Sequence, residues 1–110
     1  MIESLKLVDL IGRSGEFNKE NLLGLIFYSS NMERSAEVIK IMNEVQEDFK
    51  DIKFWLMDGF IPGEEFAMLR EEFALKVDPT VIIYKKGKEI KRLEGFKAKT
   101  VIIKALKELN

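Results

Sequence analysis

The chain has neither cysteine nor histidine among its 110 residues. Without cysteine there is no disulfide, no thiolate nucleophile and no soft metal site. Without histidine, zinc sites of the His/Cys type and serine–histidine catalysis are excluded too. Proline is scarce, with only 2 residues, and these are Pro62 and Pro79. No apolar run approaches the length of a membrane span. Glycine-rich phosphate loops and EF-hand patterns are absent. Glu64-Glu65 and Glu71-Glu72 are sequence neighbours, which point apart by about 100° on a helix. They read as solvated faces, so neither a metal nor a cofactor is expected.

What is present is ordinary for a soluble globular protein: 46% hydrophobic and 34% charged residues. This length fits a single domain over residues 1–110, large enough to bury a core without staples. A net charge of −1 gives no global attraction to nucleic acid or acidic lipid, so neither is expected as a partner. Met1 to Ile11 is short and carries Glu3 and Asp9, unlike a signal peptide, and a cytoplasmic location is expected. Charge is nonetheless segregated. Residues 1–84 carry 9 basic and 16 acidic side chains, and residues 85–110 carry 9 and 3. The basic end fits an exposed hairpin and a solvated helix; a surface for an anionic partner is the alternative.

Residues 1–20 fit two patterns. Ser4 to Val8 alternates like a short strand, whereas Ile2, Leu5, Val8 and Leu10 suit a helix face. Gly12 to Asn21 contains Ser14-Gly15 and reads as a loop. The apolar run from Asn21 to Tyr28 reads as a buried central strand. From Asn31 to Phe49 the apolar residues Met32, Ala36, Ile39, Met42, Val45 and Phe49 recur at helical steps. Ser30 and Glu33 match a capping box at its start. Ile52 to Met57 is the next strand, followed by a breaker-rich loop from Asp58 to Gly63. A helix is expected over Glu64 to Leu75, with Phe66, Met68, Leu69 and Phe73 inward. Strands Val81–Tyr84 and Glu89–Leu93 are joined by the tight turn Lys85-Lys86-Gly87-Lys88. A closing helix is expected over Thr100 to Leu109, with Val101, Ile102, Ala105, Leu106 and Leu109 on one side. One βαβ crossover followed by a hairpin makes a mixed sheet with helices on both faces.

The combination Val77-Asp78-Pro79-Thr80, apolar strand, glycine hairpin, Gly95 and closing helix resembles the thioredoxin family from about residue 5 to residue 110. The resemblance implies a three-layer α/β/α fold. Its central mixed sheet would have four or five strands, flanked by about four helices, with a cis bond before Pro79. In that family an aromatic residue ends the strand, then Trp-Cys-Gly-Pro-Cys leads into a long helix. Here Phe27-Tyr28-Ser29-Ser30-Asn31-Met32-Glu33-Arg34-Ser35-Ala36 fills that stretch. The resemblance puts Met32 at the attacking cysteine and Ser35 at the resolving one, with Glu33 and Arg34 between. It also places Ile26 and Phe54 where the family buries an aspartate and a lysine. Losing one of such a pair strands a buried charge at roughly 3–5 kcal/mol, whereas exchanging both for apolar groups is often neutral. The stretch between Asp58 and Pro79 is longer than the family usually has, which implies a lengthened helix beside the groove.

Disulfide exchange needs a thiolate, which neither Met32 nor Ser35 supplies. What the resemblance leaves is the family's groove: Tyr28, Ser30, Asn31 and Met32 on one side, Val77, Asp78 and Pro79 in the middle, Gly95 and Phe96 on the other. An extended peptide or another protein is the expected occupant. Phe96 fits equally an exposed groove wall or a core position under the last helix. The expected function is a redox-inactive binding or accessory module, adaptor-like or chaperone-like. The alternative is an oxidoreductase-related protein in redox homeostasis whose cysteine or cofactor comes from a partner chain. A homodimer built through sheet edges is a further possibility.

Overall fold

The structure, a computed structural model, describes residues 1–58 and 64–109, without the side chains of Glu65 and Phe66. The elements run β1 (Glu3–Leu5), α1 (Leu7–Gly12), α2 (Ser14–Lys19), β2 (Leu23–Tyr28), α3 (Ser35–Asp48), β3 (Lys53–Asp58), α4 (Glu64–Glu72), β4 (Thr80–Lys85), β5 (Lys88–Glu94) and α5 (Lys99–Lys107). No described helix is long and apolar enough to cross a membrane.

The strands form one sheet in the order β1-β3-β2-β4-β5. β1 and β2 flank β3 in parallel, β4 runs antiparallel to β2, and β5 antiparallel to β4. Central β2 is buried along its whole length, as its unbroken apolar run predicts. The period-two alternation of strands then divides two cores. Ile26, Phe54, Leu56, Val81 and Ile83 point to the face covered by Val38, Met42 and Val45 of α3 and by Ile102 and Leu106 of α5. Leu25, Phe27, Trp55, Met57 and Ile82 point to the other, under Leu10, Phe17, Leu69 and Phe73. Ile26 and Phe54 thus meet in one apolar core, and no buried charge is left between them.

Gly24 lies opposite Phe54 in the β2–β3 ladder. A Cβ there would stand 2.5 Å from the Phe54 ring, so the phenyl group occupies the space that the missing side chain leaves. The β4–β5 turn holds Lys86 at φ 49° and Gly87 at φ 82°, the two positive angles of a type I′ hairpin.

Several expected boundaries move. Residues 14–19 are helix, not loop, and Phe17 anchors them edge-on to Tyr84 at 4.7 Å. Tertiary packing there overrides the glycine-serine signal. Five helices are described against about four expected. The long helix starts at Ser35, not Asn31, and the Ser30–Glu33 capping box does not form. The Ser30 amide donates instead to the Asp58 carboxylate across the sheet at 3.0 Å. α4 stops at Glu72 because the chain wraps back after it. Ala74 takes φ 51° and the Leu75 amide donates to the Arg70 carbonyl at 2.9 Å. Ala36, Met68 and Val101, expected inward, are exposed. The expected breaker loop falls on residues 59–63, and that loop and the Phe66 side chain lie outside the described residues.

Candidate binding groove

The C-terminal ends of β2 and β3 and the N-terminal end of β4 converge at one edge of the α3 side. The chain after β2 turns tightly. The Met32 amide donates to the Ser29 carbonyl at 3.1 Å, and the Ser35 amide to the Met32 carbonyl at 3.3 Å. The Ser29 hydroxyl donates to Asn31 Oδ1, and the Ser35 hydroxyl to the Ser30 carbonyl at 3.4 Å. These contacts hold residues 29–34 as a turn ahead of the helix. Ser30, Asn31 and Glu33 are exposed, and Met32 is half-buried against the α3 core.

The Asp78–Pro79 bond is cis. The Thr80 hydroxyl donates to the Val77 carbonyl at 2.6 Å, and the Gly95 amide donates to the Pro79 carbonyl at 2.8 Å. Arg70 of α4 reaches the Asp78 carboxylate at 2.8 Å, and it also donates to the Leu75 carbonyl at 3.3 Å. Pro79 is buried, whereas Val77 beside it is exposed. Gly95 has φ 85°, with open space where a Cβ would lie. Its backbone angle, not crowding, is what favours glycine there.

The far wall is Phe96. One face packs on the α3–α5 core, and the Arg34 guanidinium covers the other, with Cζ 3.5 Å from the ring centroid. The two expectations for Phe96 are therefore both half right. Arg34 is held in place by two 3.0 Å bonds to Glu37. The hydrogen bond from Arg34 holds the Glu37 carboxyl below the usual carboxylate range. Beneath this bridge lies a cavity of about 20 Å³ lined by Val38, Met42, Pro79, Val81, Gly95 and Phe96, no larger than one water. Tyr28 is buried at the end of β2. Burial raises its phenol pKa, the Asp58 carboxylate adds to the rise, and a hydrogen bond with Ser4 offsets part of it.

Of the nine expected groove residues, Pro79, Gly95 and Phe96 line one small cavity and Val77 and Asp78 belong to the loop that leads into it, while Ser30, Asn31 and Met32 form the turn after β2, with Tyr28 buried at its start. Sequence reasoning gave Arg34 no role beyond its motif position and missed Arg70 and Glu37 altogether. Their partners lie on other elements, except for the Arg34–Glu37 spacing, which a helical i,i+3 pairing signals. No cluster of acidic residues suited to a metal occurs among the described residues.

The β-α-β crossover, the antiparallel hairpin and the proline loop invite comparison with solved structures. A thioredoxin from Plasmodium falciparum superposes with a TM-score of 0.80 at 13% identity, covering 99% of this chain and 100% of that one. The chain has the thioredoxin fold. Mitochondrial thioredoxin 3 from Saccharomyces cerevisiae, in its oxidised form, gives 0.77 at 19% identity, with 98% and 95% covered. A chain from a structure on thiol resolution in yeast mitochondrial 1-Cys peroxiredoxin gives 0.78 at 21%, again with 98% and 95% covered. No protein-family model and no curated protein matches the sequence. Within the thioredoxin fold, this chain has no thiol anywhere, and residues 32–35 read Met-Glu-Arg-Ser.

Proposed function

We propose that this chain is a redox-inactive binding module that holds an extended segment of another protein in the groove beside Pro79. The observation that carries this reading is the proline loop. Its side-chain and backbone ties hold Val77 and Asp78 in a fixed conformation ahead of β4, although the chain has no thiol to react. Among the described residues, the Asp78 amide and carbonyl make no hydrogen bond. Both are therefore available for strand-like pairing with a ligand backbone. Met32 adds an adaptable apolar contact, and Phe96 an aromatic wall.

The test is affinity capture followed by mutation. A partner retained by the native chain should be lost with Asp78→Arg and with Met32→Arg, each shown by circular dichroism to be folded. Retention by both variants rules out the groove. Insulin reduction by the purified protein should stay at background. Turnover above background would support instead an oxidoreductase-related role.

A further inference from the structure

A second concavity lies on the opposite face of the sheet. There α1, α2 and α4 do not close over the β4–β5 hairpin, and a cleft of about 600 Å³ remains. That volume falls in the range of small-molecule pockets, roughly 300–1,000 Å³. Leu10, Phe17 and Phe73 form its apolar wall. Ile11 and Met68 stand at its rim, 65% and 61% exposed, on different helices.

Tyr84 lies at the base of this cleft and is only 7% exposed. Among the described residues its hydroxyl has no hydrogen-bond partner. It is also not sealed off as the buried Trp55 indole nitrogen is. A buried phenol with an unanswered hydroxyl opening into an apolar cleft is a polar anchor without its ligand. Burial first, then the carboxylates of Glu89 and Glu72, push its pKa up to about 12, partly offset by Arg92. The group is thus a neutral hydroxyl at physiological pH.

The charge of the lining is one-sided. Arg92 is the lining cation, and its guanidinium is already engaged. It pairs with Glu89 at 2.8 Å and donates to the Phe73 and Ala74 carbonyls at 2.9 and 3.1 Å. Glu72 has no ion pair among the described residues, which leaves one uncompensated negative charge in the same lining as Tyr84.

We propose that this cleft binds a small amphipathic amine. The apolar or aromatic body packs among Leu10, Phe17 and Phe73, and the ammonium group faces Glu72 and donates to the Tyr84 hydroxyl. A carboxylate head would meet Glu72 with like charge, and a neutral head would forgo the ion pair.

The experiment is an NMR titration of the ¹⁵N-labelled chain with 2-naphthylmethylammonium, 2-naphthalenemethanol and 2-naphthoate. The amine should shift the amides of Leu10, Phe17, Phe73 and Tyr84 saturably and bind more tightly than both comparators. Glu72→Gln should weaken it roughly tenfold, as expected for loss of a charged hydrogen bond. Tyr84→Phe should weaken it several-fold, and Ser14→Trp, which fills the cleft mouth, should abolish it. Glu47→Gln, on the other face, should leave it unchanged. Absence of saturable shifts, shifts mapping elsewhere, equal affinity for the three probes, or indifference to Glu72→Gln in a folded variant would each overturn the proposal. Because the site lies across the sheet from Pro79, either outcome leaves the groove reading untouched.

Discussion

Gly24 is the residue whose small size matters most to the core. The β2–β3 ladder brings its Cα opposite Phe54, and any Cβ would press into that ring at 2.5 Å from one carbon and 2.6 Å from the next. The Ile83 side chain, 3.2 Å away, and a buried aromatic leave little room to relax. Gly24→Ala should therefore lower stability by about 1–3 kcal/mol, the usual range for overpacking. Urea unfolding followed by fluorescence of the single tryptophan, Trp55, would measure it. Adding Phe54→Leu should recover part of the loss, and full additivity of the two changes would contradict the contact. Tyr84 makes a second prediction at this scale. Its folded pKa is raised to about 12 against about 10 in an unfolded chain. Between those pH values the folded state keeps a proton that the unfolded state has released, so stability falls as pH rises through the window. Ultraviolet titration of Tyr28→Phe protein should show a phenol ionising well above pH 10. A midpoint at 10 would contradict the burial argument.

At the scale of elements, tertiary ties fix where helices begin and end. Arg92 projects from β5 to the carbonyls of Phe73 and Ala74, just past α4, and it is also paired with Glu89. One side chain thus caps the exit of α4 and fastens it to the hairpin. Arg92→Ala should destabilise the protein by about 1.5–3 kcal/mol, as for hydrogen bonds to charged groups. It should also raise hydrogen exchange in α4 before it does so in β2 or β3. Arg92→Lys should rescue little, because one ammonium cannot reproduce the guanidinium fork. Equal exchange rates in α4 of native and Arg92→Ala protein would show that the cap is dispensable. Nothing near residue 92 in sequence signals this role, since its carbonyl partners lie 18 and 19 positions away. The start of α3 has the same lesson. Ser30 and Glu33 satisfy the capping pattern, but Asp58 of a neighbouring strand competes for the Ser30 amide.

For the whole molecule, the exposed sheet edges decide self-association. β5 forms one edge, and it carries Lys88 and Lys91 and a register irregularity where Ile83 and Tyr84 pair with it. Charged side chains and bulges are the usual devices that keep an edge from templating a second copy. β1, at the other edge, has only three residues. Light scattering at moderate salt should therefore give the mass of one chain, 12.8 kDa. A dimer that dissociates on Ile90→Lys would show instead that β5 is an interface. The segregated charge follows the sheet as well, since β5 and α5 carry most of the basic C-terminal residues.

The sequence by itself determined the chemistry and the layer plan. A chain without cysteine or histidine cannot perform thiol exchange on its own, whatever its shape. The period-two strands, the crossover helix and the Pro79 loop were legible because each is written in contiguous residues and local sterics. The tertiary structure alone decided that residues 14–19 are helical, that Arg34 lies on Phe96, that Arg70 holds Asp78, and that a cleft opens above Tyr84. Each of these depends on groups far apart in the chain and close in space, and their pairing energies outweigh the local preferences that a linear reading can see.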